Sequence, residues 1–215
     1  MTMTETDDNK IAVVMAVNDQ AQELEEHLEK FLNLPFNGHY RVIVVDEAST
    51  DDTSDVLKRM KAAHDNLYTT FLPRSVRNPS KTRLALTIGV KATTSPRVVL
   101  ASINRPPTSV SWLQELSDST AEIVMAYSNR KKSGITWRKQ EHPLLEDATA
   151  LITKAERRSG RGHCGHWMKY HRGMYDAVAV NRERIYDAIK LFDKAVGPWQ
   201  LTRLRLHVFW QNLFN

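Results

Sequence analysis

The chain has 215 residues, of which 41% are hydrophobic and 26% are charged. This length suits one sizeable domain, and no apolar run approaches the roughly 18 residues that a membrane-spanning helix needs. The acidic, polar N-terminus lacks the basic and apolar regions of a secretory signal, and the single cysteine, Cys164, excludes an internal disulfide. These features predict a soluble, cytoplasmic, globular protein.

The charge is distributed unevenly along the chain. Residues 1–65 include 6 basic and 14 acidic side chains, residues 66–129 include 7 and 3, and residues 130–215 include 17 and 8. A basic second half can attract nucleic acid, an anionic membrane surface or a phosphorylated small molecule, or it can be an ordinary solvated face. No RNA-binding or DNA-binding motif accompanies the charge, so we predict no nucleic-acid partner.

The first half of the chain alternates between apolar runs and amphipathic segments. The runs IAVVMAV (11–17) and RVIVV (41–45) are rich in β-branched residues, which is typical of strands buried on both faces. The predicted elements, in chain order, are a strand at 11–17, a helix at 20–34, a strand at 41–45, a helix at 52–63, a strand at 68–72, a helix at 82–92 and a strand at 97–100. This alternation predicts an α/β fold with a mainly parallel sheet flanked by helices.

The pattern is weaker beyond Pro106 and Pro107. The elements predicted there are a helix at 112–116, a strand at 122–127, a basic turn at 129–134, a helix at 144–157, a Gly-rich loop at 159–165, a strand at 175–180 and a helix at 185–192. Neither an internal repeat nor a low-complexity linker interrupts the chain. We therefore predict a disordered tail at 1–10 followed by a single domain at 11–215.

Three predicted loops follow strands that should end at one edge of the sheet. They are Asn18-Asp19, 46–50 (DEAST) and 102–104 (SIN). Ligands of open α/β sheets bind at the carboxyl ends of the strands. A carboxylate in that place can accept hydrogen bonds from a uracil imide or from ribose hydroxyls, so Asp46 is a candidate for nucleotide recognition. For Ser49, Asp51 and Asp52, capping the following helix is the simpler role.

Three sequence blocks in this region are especially informative. They are IAVVMAVNDQAQELEEHLEKFLN, RVIVVDEASTDDTSDVLKRM and SKTRLALTIGVKATTSPRVVLASINRPPTSVSWLQEL, between residues 11 and 116. In order and spacing they resemble successive blocks of the inverting family 2 glycosyltransferases with a type A fold. The resemblance implies a protein that binds a nucleotide-diphosphate sugar and transfers the sugar to a glycan or lipid-linked acceptor. Residues 11–116 would form the nucleotide-binding half and residues 117–215 a shortened acceptor-side half.

The resemblance also implies roles for individual residues. It predicts that Asn18 lines the nucleotide pocket and that Asp46 recognises the base. It places Lys81 and Arg83 beside the base or the diphosphate. A basic pair there could offset diphosphate charge, and the alternative for both residues is an ordinary solvated helix start.

The chain departs from the family at the metal motif. In the family, the loop after the fourth strand carries an acidic motif, commonly Asp-x-Asp, that coordinates Mg²⁺ or Mn²⁺ on the diphosphate. Here that place reads Ser102-Ile103-Asn104, and hydroxyl and amide oxygens are weak ligands for hard cations. We therefore expect low affinity for Mg²⁺ or Mn²⁺. Our hypothesis is that Arg105 and the basic second half neutralise the diphosphate instead.

The chain also departs from the family at the catalytic base, which the family supplies from an acidic pair late in the domain. Asp176, in MYDAVAV, occupies the region of the acceptor-side strand and is the candidate for this role. Glu183 and Asp187 are more simply surface residues of a terminal helix. An inactive nucleotide-sugar-binding or regulatory module is therefore the alternative to an enzyme.

Two further clusters lie in the basic second half. His163-Cys164-Gly165-His166 has the residue types of a soft metal site but lacks the paired spacing of one, so a basic loop is the simpler interpretation. The segment 201–214 (LTRLRLHVFWQNLF) could lie peripherally on the inner face of a membrane. Packing as a last core helix is the favoured alternative for this segment.

Overall fold

The structure is a computed structural model that describes residues 9–73, 81–107, 109–127, 144–147 and 177–192. Several features predicted from the sequence lie outside the described residues. They are the tail at 1–8, the turn at 129–134, the helix beyond residue 147, the loop at 159–165 with its His and Cys cluster, Asp176 and the segment 201–214.

Seven strands and five α-helices occupy the described residues. The strands are β1 (Asn9–Val17), β2 (His39–Asp46), β3 (Leu67–Phe71), β4 (Arg97–Ala101), β5 (Ile123–Tyr127), β6 (Leu144–Asp147) and β7 (Ala177–Asn181). The helices are α1 (Ala21–Leu32), α2 (Thr53–Ala63), α3 (Lys81–Lys91), α4 (Trp112–Asp118) and α5 (Ile185–Phe192), the last of which follows a 3₁₀ turn (Arg182–Arg184). None of the described helices combines the length and the apolar character needed to cross a bilayer.

The strands form one sheet in the order β3-β2-β1-β4-β7-β5-β6. β1 pairs in parallel with β2 and with β4, and β2 pairs in parallel with β3. β7 is antiparallel to β4 and β5, and β6 is antiparallel to β5. β5 therefore runs in the same direction as β1 to β4. This confirms the predicted α/β fold with a mainly parallel sheet flanked by helices.

The predicted elements of the first half agree with the structure to within two residues at each end. The largest differences are at the starts of β1 and β2 and at the end of α1, because apolar periodicity does not mark where an element begins or ends. β1 begins at Asn9, which pairs with His39 of β2. Residues 9 and 10, which we assigned to the disordered tail, therefore belong to the sheet.

The helix predicted at 144–157 is wrong at its start, because residues 144–147 form strand β6. This strand pairs antiparallel with β5, from Tyr127 and Leu144 to Val124 and Asp147. A segment of four residues is too short for the strand period of 2 to be distinguished from the helix period of 3.6. The open edge of β5 decides the outcome, because it offers unpaired backbone groups that a neighbouring strand can satisfy.

Apolar layers cover both faces of the sheet. Alternate residues of a strand point to opposite faces, and in β1 both sets are buried. Ala12 and Val14 contact the layer that includes α3 and α5, whereas Ile11, Val13 and Met15 contact the layer that includes α1, α2 and α4. Because water is excluded from both faces, polar side chains concentrate at the strand ends.

Helix α3 lies very close to the sheet at Gly89. A Cβ atom at this position would be 2.5 Å from Val14 Cγ1 and 3.1 Å from Val45 Cγ2. Carbon atoms that are not bonded to each other pack at about 3.5–4.0 Å. The absence of a side chain therefore allows α3 to lie directly over β1 and β2.

We expect Gly89→Ala to lower the free energy of unfolding by about 1–3 kcal/mol, because the added methyl group overpacks the contact with Val14. Helix propensity alone predicts a gain of roughly 0.8–1 kcal/mol, which is the opposite sign. Urea unfolding, monitored by circular dichroism, shows which of these two opposite predictions for the free energy of unfolding is correct. Lys91→Ala, at the exposed end of the same helix, is the control and should change stability by less than about 0.5 kcal/mol. A more stable Gly89→Ala protein would contradict the close approach.

Candidate functional site

Three polar loops leave the carboxyl ends of the adjacent strands β2, β1 and β4. The loops begin at Glu47, Asn18 and Ser102. Because these three strands are parallel, their carboxyl ends meet at one edge of the sheet, which is the edge where ligands of open α/β sheets bind. The structure thus brings the predicted residues Asn18, Asp46 and Ser102 to a common edge.

Asp19 connects the loop after β1 to the loop after β2. Its Oδ1 atom accepts hydrogen bonds from the backbone N of Thr50 (2.6 Å) and of Asp51 (3.3 Å). In return, Asp19 N donates to Ser49 Oγ at 2.9 Å. The hydrogen bond from the Thr50 backbone favours the charged carboxylate and is the largest cause of the lowered pKa of Asp19.

Asp51 connects the first turns of α1 and α2. Its Oδ2 atom accepts a hydrogen bond from Ala21 N and its Oδ1 atom accepts one from Thr53 N, both at 3.0 Å. Gln20 N donates to Thr53 Oγ1, also at 3.0 Å. These bonds satisfy backbone N–H groups that have no partner within a helix. The capping role predicted for Asp51 is confirmed, whereas the side chain of Asp52, the N-cap residue of α2, makes no cap hydrogen bond.

Both loops contain a residue with left-handed backbone geometry. Asp19 has φ 50° and Ala48 has φ 65°, and no other non-glycine residue in the described part of the chain has positive φ. Such geometry destabilises an ordinary L-residue by about 1–2 kcal/mol and persists only where surrounding contacts enforce it. The hydrogen bonds of Asp19 and Ser49 supply this constraint and hold the two loops in one shape.

Asp46 ends β2 and is nearly buried beneath these loops. Its side chain is fixed by Ser49, which donates to Oδ1 from its backbone N at 2.9 Å and from its hydroxyl at 2.6 Å. Among the described residues, Oδ2 accepts no hydrogen bond. The carboxylate is therefore oriented by two hydrogen bonds to one of its oxygens. Its place at the edge fits the predicted role in base recognition.

Glu47 is a second buried carboxylate, which the sequence analysis did not select. It follows Asp46 directly, so it points to the opposite face of the sheet, toward the start of α3. Burial is the largest effect and raises the pKa of Glu47, while a hydrogen bond from the Thr82 side chain and the charge of Lys81 partly oppose it. The sequence signal for Glu47 was the pair of acidic residues at the strand end. Consecutive strand residues point to opposite faces of the sheet, so such a pair places one carboxylate on each face.

Lys81 and Arg83 occupy the first turn of α3, and both side chains are exposed. Lys81 is close enough to Glu47 to influence its pKa. The start of α3 therefore lies at the same edge as the loop after β2. Lys81 is thereby placed near the candidate site, and Arg83 follows in the same helical turn.

The loop after β4 is held from α1. His27 Nδ1 is 3.0 Å from Ile103 O, and Arg105 N donates to Ser102 O at 2.9 Å. The Ile103 side chain is fully buried in the core, whereas Ser102 is half-buried and Asn104 is exposed. The middle residue of the loop therefore serves packing, and its two neighbours lie nearer the surface.

This loop offers poor ligands for Mg²⁺ or Mn²⁺. Ser102 and Asn104 provide neutral oxygens, while hard divalent cations prefer carboxylates. Over the parts of the chain that the structure describes, no group of three His, Cys, Asp or Glu side chains is placed to hold a metal ion. These residues do not fit the acidic metal motif that the resemblance implies.

Strand β7 runs from the candidate-site edge of the sheet to the opposite edge. Its first residue, Ala177, pairs with Ala101 at the end of β4, so β7 begins at the candidate-site edge. Asp176 precedes this start and lies outside the described residues, and its role as a base stays a prediction. Glu183 follows β7 at the far edge and is exposed, which confirms it as a surface residue.

Comparisons with known proteins find similarity in structure. No protein-family model and no curated protein matches the chain. Residues 1–349 of S. aureus TarS superpose with a TM-score of 0.53 at 12% identity, over 83% of this chain and 49% of that one. The same fragment in complex with UDP gives 0.52 at 13% identity, over 83% and 48%. A mannosyltransferase from Pyrobaculum calidifontis, PcManGT, in complex with GDP-Man and Mn²⁺, gives 0.47 at 23% identity, over 59% and 37%.

The similarity to the two TarS structures shows the fold. The chain has the α/β architecture of the type A glycosyltransferases, as the resemblance predicted. It spans about half the length of the TarS fragment. Membership of family 2 stays a prediction.

The lowered pKa of Asp19 makes the stability of the two hydrogen-bonded loops sensitive to acid. A carboxylate whose folded-state pKa is depressed contributes stability that is present above its ordinary value of 3.8 and is lost as the pH falls through the lower folded-state value. We expect Asp19→Asn to reduce the loss of stability between about pH 7 and about pH 3, because Asn does not titrate and tolerates left-handed geometry. Urea midpoints at the two pH values measure the effect.

The control for this comparison is Asp65→Asn, which removes the same charge from an exposed turn after α2. It should leave the acid sensitivity of the wild type unchanged. Equal acid sensitivity in the wild type and in Asp19→Asn would contradict the role of Asp19 as a charged hydrogen-bond acceptor.

Proposed function

We propose that the chain binds a nucleotide-diphosphate sugar at the carboxyl edge of its sheet and transfers the sugar to an acceptor hydroxyl. The observation that carries this proposal is Asp46, a nearly buried carboxylate oriented by Ser49 at the ligand edge of a type A glycosyltransferase fold. The TarS fragment, which shares the fold, holds UDP in its complex. This supports a nucleotide as the ligand of this chain.

Asp46 would recognise the base. An ionised carboxylate only accepts hydrogen bonds, so its Oδ2 atom suits the imide N–H of uracil or the N–H groups of guanine. The two hydrogen bonds from Ser49 hold the carboxylate in place before the ligand arrives, which reduces the ordering that binding requires. Asn18, exposed at the end of β1, would line the neighbouring part of the pocket.

The diphosphate would be neutralised by side-chain cations. Lys81 and Arg83 are in the first turn of α3, where the helix dipole adds positive potential. Arg105 follows the loop that lacks metal-binding carboxylates. Arginine and lysine can pair with phosphate oxygens without the coordination geometry that Mg²⁺ or Mn²⁺ requires.

Transfer would need a base, and Asp176 is the candidate. Its carboxylate would take the proton of the acceptor hydroxyl as that oxygen attacks the anomeric carbon and the nucleoside diphosphate leaves. The start of β7 at the candidate-site edge supports this placement. The acceptor would be a glycan or a lipid-linked group, and a cytoplasmic location with peripheral contact at the inner face of the membrane remains a prediction.

A regulatory module that binds a nucleotide sugar without turnover is the second candidate function. The poor fit of Ser102 and Asn104 to a divalent cation favours it, because type A sites commonly use one. Both candidates require nucleotide binding and differ in turnover. An assay for sugar transfer or hydrolysis across UDP-, GDP- and dTDP-sugars yields product for the enzyme and none for the module.

We expect Asp46→Asn to weaken nucleotide binding roughly 10- to 100-fold, since a hydrogen bond to a charged group contributes about 1.5–3 kcal/mol. The amide keeps an oxygen that can accept the hydrogen bonds of Ser49, so the loop should remain folded. Isothermal titration calorimetry with the nucleotide sugar that binds the wild type best measures the change. The control Asp55→Asn removes an equal charge from the exposed face of α2 and should bind as the wild type does. A wild type that binds none of the UDP-, GDP- or dTDP-sugars would overturn the proposed function.

We also expect nucleotide affinity to change less than about twofold on addition of EDTA or of Mn²⁺, because the loop lacks carboxylate ligands. Lys81→Ala and Arg105→Ala should each lower affinity about tenfold, as expected for loss of a charge-assisted contact. Lys91→Ala, at the other end of α3, is the matched control. Binding that disappears in EDTA and returns with Mn²⁺ would refute neutralisation by side chains.

A further inference from the structure

Phe71 is an exposed aromatic side chain at the same sheet edge as Asp46. It ends β3 and is 69% exposed. In the parallel pairing of β2 with β3, Phe71 is the register partner of Asp46, and Leu72 N donates to Asp46 O at 2.8 Å. The backbones of Phe71 and Asp46 are therefore adjacent, about 4.8 Å apart across the two strands.

The side chains of Phe71 and Asp46 also project from the same face of the sheet. In β2, Asp46 is two residues after Val44 and four after Val42, so it lies on the same face as these apolar residues, which belong to the layer of α1 and α2. In β3, Phe71 is four residues after Leu67, which belongs to that same layer. The two side chains thus leave neighbouring backbone positions on the same face where the sheet ends.

The exposure of Phe71 is not a result of a frayed strand end. The following residue, Leu72, is 3% exposed and is fixed by its hydrogen bond to Asp46. Among the residues whose burial is described, the large apolar side chains that are exposed are Phe71, Val110 and Tyr186. Of these three, Phe71 is the one in a strand that ends at the candidate site.

A planar heteroaromatic ring needs two kinds of contact. Its edge carries hydrogen-bonding groups, and its faces are apolar surfaces that stack on aromatic side chains. Asp46 can accept a hydrogen bond from such an edge, and Phe71 presents an aromatic face next to it. A single planar ring at this edge would contact both residues.

We propose that Phe71 is the stacking platform for the nucleobase whose edge is bound by Asp46. This inference rests on the proposed function, because it assumes a nucleotide at this edge. Stacking depends on the area of the aromatic face. The contribution of Phe71 should therefore be larger for the purine of GDP than for the pyrimidine of UDP.

The test is isothermal titration calorimetry of the full chain with UDP and with GDP, for the wild type and for Phe71→Ala, Phe71→Leu and Phe71→Trp. Loss of a stacked base predicts that Phe71→Ala weakens binding roughly 5- to 150-fold. Phe71→Trp should bind at least as tightly as the wild type. Phe71→Leu should fall between wild type and Phe71→Ala, because it keeps apolar bulk without an aromatic face.

The matched control is Tyr186→Ala, which removes an exposed aromatic ring from α5. This helix follows β7, whose last residue, Asn181, pairs with Arg97 at the opposite edge of the sheet. The control should bind both nucleotides as the wild type does. Melting temperatures within about 3 °C of the wild type would show that every variant is folded.

The outcomes separate this inference from the proposed function. If the wild type binds neither UDP nor GDP, the proposed function and the stacking role of Phe71 are both wrong. A wild type that binds, with Phe71→Ala or Phe71→Leu binding equally tightly, overturns the stacking role and leaves the nucleotide site intact. Unchanged affinity together with reduced self-association of Phe71→Ala in sedimentation velocity would instead assign Phe71 to a contact between the edge strands of two copies.

Discussion

The parallel pairing of β1 with both of its neighbours determines where the polar loops of this protein meet. β1 runs beside β2 along its whole length and beside β4 from Ile11 to Val14. Because β1 and β2 are apolar on both faces, burial alone does not distinguish the correct register from a slip of one residue. The polar contacts at the strand ends do, since Glu47 N donates to Val17 O and Thr50 N donates to Asp19. Register and site are therefore fixed by the same loops.

The acidic turn after β2 combines structural and ligand-facing residues. Ser49 and Asp51 hold the neighbouring loop and the two helix starts, while Asp46 and Glu47 point to opposite faces of the sheet. The residues that make this turn resemble the family 2 enzymes are thus partly required for the fold itself. Similarity in the turn supports the architecture more strongly than it supports sugar transfer. Fold and activity are separate inferences for this reason.

The sequence was sufficient for the elements whose signal is local. Doubly buried strands and amphipathic helices follow from composition and period, and the position of Asp46 follows from the end of such a strand. The pairing of strands that are distant in the chain could not be predicted from the sequence. The strand at 144–147 depends on the open edge of β5, and the adjacency of Phe71 to Asp46 depends on the register of β3 against β2. Alternation along β2 implied that Glu47 points to the face opposite Asp46. Its hydrogen bond with Thr82 could not be predicted, because it depends on where α3 lies across the sheet.

The position of the nucleotide site can be read directly from backbone amide chemical shifts during a titration of the isotope-labelled chain with UDP. Binding at the carboxyl edge predicts the largest changes at Asn18, Ser49 and Leu72, which lie at the ends of three adjacent strands. Amides at the opposite edge, such as those of Arg97 and Asn181, should change little. Shifts centred on Arg97 and Asn181, or no shifts at a large excess of UDP, would contradict a nucleotide site at the carboxyl edge.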